Sequence, residues 1–335
     1  MRFLVPIDQA EARDSSRDAA PLVSIGLPVF NGEDYIGEAI ASVLAQTLSD
    51  FELIIYDNAS TDRTSAICHQ FAAEDRRIHY SRNARNLGAA LNYNLCFERA
   101  RGTYFKWMAH DDAIEPTFLE ETVARLEAVP EAVLCCVNVR QIDAHSRTVK
   151  TVDSEIPSTV GLSPAERFAA VVLRPHHCTD IFGVFRRRAL IGTELHGAYR
   201  SSDRVLLAEM ALRGPFVKVE APLLIHRDHS ARYVRTAMRR RDQTTTWLDT
   251  SRSTPERFQH WRTIPKFMAV VPKSIEGRGA RWRCYASVLL RYLRLRPLRG
   301  LITDVIWETQ ATLGELAERG ERAVTRRFGR AQHRR

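Results

Sequence analysis

The sequence lacks the features that would anchor it in a membrane or cross-link it through disulfides. None of its apolar stretches reaches the roughly 18 residues that a spanning helix needs. The apolar run before Asp8 is too short for a signal peptide, so we expect residues 1–20 to form a flexible leader. The six cysteines include no CxxC pair and favour neither zinc nor a disulfide framework. We therefore expect reduced, mostly buried thiols and a cytoplasmic protein.

Acidic residues are scarce near the C-terminus, and this makes the charge uneven. The chain has a net charge of +9, and residues 281–335 carry thirteen arginines against five acidic residues, a net +8. The rest of the chain is thus close to neutral. No nucleic-acid-binding motif accompanies the arginines, so we expect no nucleic acid partner. A phosphate-bearing substrate or an anionic membrane surface fits the charge better.

Short apolar runs alternate with helical patterns through the first half of the chain. Strands are predicted at residues 22–29, 51–56, 78–81, 103–108 and 133–139. Helices are predicted at residues 35–45, 61–73, 89–99 and 116–127, the second capped by Ser60 or Thr61 and the fourth with Pro116 in its first turn. Later residues predict helices at 163–173 and 203–212 and short strands at 216–219 and 223–225. This order predicts an α/β fold with a mostly parallel sheet flanked by helices.

Three polar loops follow predicted strands, at residues 28–31, 57–60 and 110–112. In a parallel sheet such loops meet at one edge, where ligands bind. Asp111 and Asp112 could hold a divalent cation through their oxygens, or could cap the next helix. Asp57 could accept hydrogen bonds from a base or ribose, or could serve a turn.

Three further segments carry candidate chemistry and an ordinary structural alternative. The loop at residues 83–88, with Arg85, could bind phosphate at a helix start, or could be a plain connection. Asp203 could be a general base, or an N-cap. The segment at residues 226–229 could place an imidazole at a metal or phosphate, or could be solvated.

Taken together and in this order, these segments resemble the family 2 glycosyltransferases of the GT-A fold over about residues 22–230. VSIGLPVFN at 23–31 is similar to the family's V-S-V-x-x-P-x-Y-N, and AIASVLAQT at 39–47 to A-I-x-S-V-L-x-Q-T. FELIIYDNASTD at 51–62 is similar to F-E-L-I-I-V-D-D-G-S-T-D. NLG at 86–88 and ARG at 100–102 match N-x-G and A-R-G. The ordered series is far more specific than any single piece of it.

The resemblance implies roles by position. Asp57 matches the acid that reads the base, usually uracil. Asp203 looks like the catalytic base. The residues expected at the donor are Pro28, Phe30, Asn31, Asp57, Arg85, Asn86, Gly88, His110 and Asp111. The residues expected at Mn²⁺ or Mg²⁺ are Asp111, as the last acid of D-x-D, with Asp112 and the His229 of the late R-x-H segment.

The chain departs from the family pattern at two places. Ala109 and His110 occupy the first and middle positions of D-x-D, so one carboxylate that could bind ribose or metal is missing. Asn58 stands where a second aspartate is common. Metal binding therefore depends mainly on Asp111, and Arg85 or Arg227 could add positive charge at the diphosphate.

The resemblance implies a metal-assisted, inverting transfer of a sugar from a nucleotide-sugar, usually a UDP-sugar, to a hydroxyl of a glycan or lipid-linked saccharide. Residues 21–231 would form the GT-A domain, with the nucleotide-sugar half reaching to about residue 140 and the acceptor half after it. A catalytically inactive homologue that binds nucleotide-sugars is an alternative, suggested by Ala109. A nucleotidyltransferase is another, although the first loop lacks the expected glycine-rich pattern.

The C-terminal region at residues 232–335 is predicted to be helical and basic. Within it, residues 281–299 (RWRCYASVLLRYLRLRPLR) mix arginines with Trp, Tyr and Leu at near-helical spacing. This stretch could lie on the inner face of an anionic membrane, where the protein would be peripheral. Alternatively, it could pack on the main domain with a solvated basic face.

Overall fold

The computed structural model describes residues 20–230, 232, 241–252, 254, 256–294, 297–310 and 312. The predicted leader therefore lies outside the described residues except for Ala20, as does the chain after residue 312. Within the described ranges, no helix combines the length and the hydropathy that a membrane crossing requires.

Nine strands and eleven α-helices form the described chain, of which ten helices are numbered here. The strands are β1 (Val23–Val29), β2 (Phe51–Asp57), β3 (Ile78–Arg82), β4 (Tyr104–Trp107), β5 (Ala113–Ile114), β6 (Leu134–Ile142), β7 (Thr148–Val152), β8 (Val184–Arg186) and β9 (Phe216–Arg227). The helices are α1 (Ile36–Leu44), α2 (Thr64–Glu74), α3 (Ala89–Arg99), α4 (Phe118–Glu127), α5 (Pro164–Leu173), α6 (Arg187–Leu190), α7 (Ser202–Arg213), α8 (Arg241–Leu248), α9 (Gln259–Ser274) and α10 (Arg278–Tyr292). Residues 297–310 are also helical, and Thr179–Phe182 form a 3₁₀ turn.

The strands form one sheet in the order β3-β2-β1-β4-β8-β6-β9-β5, with β7 paired to β6. The first four strands in this order run parallel, so their carboxyl ends lie along one edge. β8 runs antiparallel to both neighbours and turns the sheet into a mixed one. The predicted α/β class is confirmed, and the parallel pairing occupies the half that carries the three polar loops.

The central strands are buried on both faces, as expected for a parallel sheet between helices. Alternate residues of β1, from Val23 to Val29, pack with α1 and α4 on one face. On the other face, Phe105 and Trp107 of β4 pack with α5, α7, α9 and α10. These short, largely apolar runs of sequence therefore correspond to strands that water does not reach.

Several details of the predicted elements are wrong. Helix α2 begins at Thr64 with Arg63 at its N-cap, not Ser60 or Thr61. Both residues bind Asn31 instead: the Oγ of Ser60 accepts its main-chain N–H, and the N–H of Thr61 donates to its Oδ1. Helix α4 begins after Thr117, which leaves Pro116 outside it.

The two short strands predicted after residue 215 are one strand, β9. Pro222 is tolerated there because the pairing of β6 with β9 shifts register between Val137 and Val139, and proline suits such an irregularity. The strands β5, β7 and β8 were not predicted.

Two C-terminal helices complete the core on the side of Trp107. Phe267 and Val271 of α9, and Cys284 and Val288 of α10, are buried in the same cluster as α5 and α7. The proposed division of the chain near residue 231 stays a prediction.

Candidate active site

Hydrogen bonds join the first polar loop, residues 28–31, to the second, which begins at residue 57. The main-chain N–H of Asn31 donates to Ser60 Oγ at 2.9 Å, and its side-chain oxygen accepts the N–H of Thr61 at 2.8 Å. Asn31 has a φ of +50°, a left-handed conformation that asparagine tolerates better than most residues. Pro28 lies within β1 opposite Tyr56, while Phe30, in the loop itself, is 42% exposed. The pocket lining implied for these residues stays a prediction.

Asp57 is completely buried, and both its carboxylate oxygens are occupied. Oδ1 accepts the N–H of Ser60 at 2.8 Å. Oδ2 accepts the hydroxyl of Tyr80 at 2.8 Å and the Nε–H of Arg82 at 3.2 Å. The Arg82 side chain is 47% exposed and also donates to the Ser60 carbonyl at 2.7 Å. A base that read Asp57 would therefore displace Arg82 first, and the base-reading role stays a prediction.

The hydrogen bonds of the Asn58 side chain explain why this position departs from the family pattern. Its Nδ2 donates to Asn86 Oδ1 at 2.9 Å and to the Gly88 carbonyl at 3.2 Å. Its Oδ1 accepts from Asn83 Nδ2 and from the N–H of Leu87, both at 2.9 Å. An ionised aspartate accepts but cannot donate, so it could not make the first two bonds. The amide fixes the shape of the N-x-G loop.

The N-x-G loop is covered by the chain that follows α8. Gly88 has a φ of +87°, and a Cβ there would lie 2.5 Å from the Leu248 carbonyl oxygen. The hydroxyl of Thr250 donates to the Asn86 carbonyl at 2.6 Å. Arg85, in contrast, is exposed at the tip of the loop. Glycine is needed at position 88 for both its conformation and the close approach.

The third polar loop follows β4 and contains the two aspartates. Asp111 Oδ2 lies 3.0 Å from His229 Nε2 and 3.8 Å from Arg232 Nε. Burial opposes ionisation of this carboxyl, but the hydrogen bond with His229 and the nearby positive charges hold the pKa of Asp111 well below its ordinary value. His110 packs on the first loop, since a Cβ at Gly32 would lie 2.6 Å from its ring.

Asp112 is tied to the end of β9 instead. Its Oδ1 accepts the main-chain N–H of Arg227 at 3.0 Å, and its Oδ2 lies 3.1 Å from His226 Nδ1. Lys106, which the sequence reasoning did not single out, is fully buried close to this carboxylate. Burial lowers the pKa of Lys106 to about 7, against the opposing effect of the Asp112 charge. Both oxygens of Asp112 therefore have partners within the protein.

Arg227 is 1% exposed and is directed into the protein. Its Nε donates to the Asp111 carbonyl at 3.1 Å, and another nitrogen pairs with Glu38 at 2.6 Å. Its guanidinium lies over the ring of Tyr35, 4.6 Å from the centroid. The expectation that Arg227 could add charge at the diphosphate does not fit this placement, because its guanidinium is sequestered among these partners.

The residues present fit a divalent cation at Asp111 and His229. These two side chains face each other and are 10% and 11% exposed. Mg²⁺ and Mn²⁺ accept one or two protein ligands when substrate phosphates and water complete the shell. Across the described ranges, no cluster of three or more His, Cys, Asp or Glu residues is suited to a metal. Asp112 fits less well, because its oxygens already have partners.

Asp203 lies in the first turn of α7, after Ser201 at the N-cap position. It is therefore not the N-cap that its sequence position also allowed. The main-chain N–H of Arg204 donates to its Oδ1 at 2.7 Å. Burial raises the pKa of the Asp203 carboxyl, in part against the nearby positive charge of Arg204. A carboxylate with a raised pKa is a stronger base near neutral pH.

Residues 24–191, half of the chain, match the family described as glycosyl transferase family 2. The chain belongs to this family. Two relatives are a putative teichuronic acid biosynthesis glycosyltransferase, TuaG, of Bacillus subtilis and an uncharacterised glycosyltransferase of Rickettsia typhi. TuaG is 41% identical over 101 residues, 30% of this chain and 40% of its own length. The Rickettsia protein is 38% identical over 104 residues, 31% of each. The matched segment thus spans less than half the length of each of these curated relatives.

Solved structures of glycosyltransferases share the fold of this family 2 member. S. aureus TarS 1–349 in complex with UDP-GlcNAc has a TM-score of 0.60 at 15% identity, covering 84% of this chain and 79% of its own. The mannosyltransferase PcManGT of Pyrobaculum calidifontis, in complex with GDP-Man and Mn²⁺, has a TM-score of 0.50 at 14% identity, covering 88% of this chain and 76% of its own. The GT-A fold predicted from the sequence is confirmed.

Proposed function

We propose that this family 2 protein is a glycosyltransferase that moves a sugar from a nucleotide-sugar, first of all a UDP-sugar, to a hydroxyl of a glycan or lipid-linked saccharide. The observation that carries the proposal is the pairing of Asp111 Oδ2 with His229 Nε2 at 3.0 Å, beside the loops that follow β1 and β2. The TarS complexes with UDP and UDP-GlcNAc and the PcManGT complex with GDP-Man support a nucleotide-sugar donor.

The donor diphosphate would bind between the N-x-G loop and Asp111. A divalent cation held by Asp111 and His229 would stabilise the negative charge of the departing diphosphate. Arg232, with its Nε 3.8 Å from Asp111 Oδ2, adds positive charge on the same side. The protein contributes fixed charges at the place where charge develops, which is the most effective form of electrostatic catalysis.

Asp203 would act as the base. As the acceptor oxygen bonds to the anomeric carbon, the bond from that carbon to the phosphate oxygen breaks, and the hydroxyl proton passes to the Asp203 carboxylate. Attack from the face opposite the leaving diphosphate inverts the anomeric centre. The raised pKa of Asp203 suits this transfer, because a carboxylate at its ordinary pKa would be a weaker base.

An inactive nucleotide-sugar-binding homologue is the second candidate, favoured by Ala109 at the first position of D-x-D. Both candidates would bind the nucleotide-sugar donor, so they differ only in whether the donor is turned over. We further propose a cytoplasmic location, which the six free, buried cysteines support.

The test is a thermal-shift screen of UDP-, GDP- and dTDP-sugars with and without Mn²⁺, followed by an assay for released nucleoside diphosphate. We expect one nucleotide class to raise the midpoint in a Mn²⁺-dependent way and to be turned over. Binding without turnover on any acceptor tried would favour the inactive homologue. If none of the nucleotide-sugars raises the thermal midpoint, both candidates are ruled out.

A further inference from the structure

One side of α10 exposes large apolar side chains. Trp282 is 67% exposed, Leu289 and Leu290 are each 54% exposed, and Leu293, directly after the helix, is 71% exposed. Residues 282, 289 and 293 recur at helical spacing and so lie along one stripe. We call the stripe, with Leu290 beside it, the outer face of α10. Contiguous apolar patches of this kind are rare on proteins that remain free in water.

The opposite side of α10 already has its packing partners. Cys284, Ser287 and Val288 are buried, and α10 packs on α5 and α9. Arg291 donates to the Val172 carbonyl at 2.7 Å and anchors the helix to α5. The helix therefore packs on the main domain, as one reading of the sequence expected. Its free side, however, is apolar rather than merely basic.

The helix at residues 297–310 also exposes apolar side chains, and its buried side is acidic. Its two acidic residues point inward: Asp304 is 0% exposed and Glu308 is 8% exposed. Asp304 accepts the N–H of His260 at 2.7 Å, and Glu308 pairs with Arg257 at 2.6 Å. Its exposed apolar residues are Leu298, Ile302, Val305, Ile306 and Trp307, at 36%, 51%, 47%, 50% and 56%. Acids inside and aliphatics outside are the reverse of an ordinary surface helix.

Arginines dominate the stretch of sequence that carries these apolar residues. From residue 277 to residue 303 the sequence contains seven arginines and no acidic residue. Arg283, next to Trp282, and Arg299, next to Leu298, are exposed. Guanidinium groups bind phosphate oxygens in a bidentate manner. A surface that combines exposed tryptophan and leucine with exposed arginine matches the boundary between lipid headgroups and acyl chains.

We propose that the outer face of α10 and the exposed side of helix 297–310 form a docking surface for a membrane rich in anionic phospholipids. The apolar side chains enter the acyl boundary, and Arg283 and Arg299 meet the phosphates. Partition depends on both contributions, because neither a few leucines nor a few arginines alone hold a protein stably on a bilayer. A lipid-linked acceptor would then lie on the surface to which the protein is bound.

The test is co-sedimentation of the full chain with vesicles of phosphatidylcholine, with and without phosphatidylglycerol. The apolar variant is Trp282→Ser, Leu289→Ser and Leu293→Ser together. The charge variant is Arg283→Glu with Arg299→Glu. The matched control is Val149→Ser with Ile191→Ser, which removes two apolar side chains that are 60% and 56% exposed elsewhere.

We expect the unmodified chain and the control to bind the anionic vesicles alike. The apolar variant should bind at least about tenfold more weakly at any salt concentration. The charge variant should lose about as much vesicle affinity at low salt. At high salt it should lose less, because screening already weakens the attraction between the arginines and the lipid phosphates. Circular dichroism and the thermal midpoint check that each variant is folded.

Two results would overturn the docking surface. One is vesicle binding that the apolar and charge variants leave unchanged. The other is an absence of binding combined with a dimer, seen by light scattering, that the apolar variant alone dissociates, because this face would then be an interface between copies. The vesicle assay contains no donor, so either result leaves the proposed transferase activity untouched.

Discussion

The main-chain N–H of Arg227 donates to Asp112 Oδ1 at 3.0 Å, and this bond joins the end of β9 to the loop after β4. The neighbouring carboxylate, Asp111, faces His229 instead. Two adjacent acids that look equivalent in the sequence therefore have different partners in the structure. Asp112 holds the backbone of the site together, while Asp111 is the carboxylate that we propose for a cation.

This division predicts different results for Asp111→Ala and Asp112→Ala. Asp112→Ala leaves the buried N–H of Arg227 and the ring of His226 without their acceptor, so we expect it to lower the free energy of unfolding by about 2–4 kcal/mol. Asp111→Ala should cost less stability but should abolish the Mn²⁺-dependent part of the thermal shift with UDP. Urea titration and thermal shift measure the two effects. Equal loss of the Mn²⁺ effect in both variants would contradict the assignment.

Asp203→Asn removes the proposed base but keeps its shape. We expect donor binding to persist while the transfer rate falls at least about 100-fold, the usual contribution of a positioned base. The rate of the unmodified enzyme should fall as the pH drops through the raised pKa of Asp203, and this acidic limb should be absent in the variant. Glu194→Gln, which removes the exposed partner of Lys266, is the control. Undiminished transfer by Asp203→Asn would exclude the role.

Gly88→Ala tests the contact between the N-x-G loop and the chain after α8. Alanine is strained at a φ of +87°, and its Cβ would also lie 2.5 Å from the Leu248 carbonyl. Gly161→Ala is the matched control, because its φ is +82° but nothing lies within 4 Å. We expect about 1 kcal/mol of destabilisation in the control. At Gly88 we expect about 2–4 kcal/mol and weaker donor binding. The same cost at both positions would show that the contact is unimportant.

Asp180 predicts a pH dependence of stability. It is buried, Ser154 donates to its Oδ1 at 2.6 Å, and burial raises its pKa to about 6. A raised folded-state pKa contributes stability that is full below the unfolded value of 3.8 and is lost as the pH rises through 6. Relative to Asp180→Asn, the unmodified protein should therefore lose about 2–3 kcal/mol between pH 4 and pH 8.

The control for this series is Asp143→Asn. The hydrogen bonds from Arg147 lower the pKa of Asp143 to about 2, so its charge does not change over this range of pH. We expect urea midpoints for this variant to run parallel to those of the unmodified protein. Parallel curves for Asp180→Asn as well would show that Asp180 stays ionised in the fold.

The sequence predicts elements well where a pattern is local. Helix α3 has the predicted bounds, Ala89–Arg99, because its helical spacing is framed by Gly88 and by the strand that follows. β5 has two residues, β8 has three, and most of β7 is exposed. These strands exist because a neighbour pairs with them, and no pattern in their own residues indicates it.

The same limit applies to the site. Loops at the ends of parallel strands must converge, so the meeting of Asn31, Ser60 and His110 at one edge follows from the order of elements. Pairings between distant segments do not follow from it. The register of β3 and β9 decides these pairings. It brings Arg82 into hydrogen-bonding distance of the Asp57 carboxylate. It likewise brings His226 and Arg227 to the Asp112 carboxylate. Only the folded chain reveals these pairings.

The buried faces of α9 and α10 have a consequence for how the chain can be divided. The family match ends at residue 191, yet Phe267 and Val288 lie in one hydrophobic cluster with Trp107, the last residue of β4. Deleting these helices to remove the proposed docking surface would also remove part of the core that packs on β4. The proposed bilayer docking and the proposed sugar transfer would then be lost together, so only substitutions at exposed residues can separate loss of docking from unfolding.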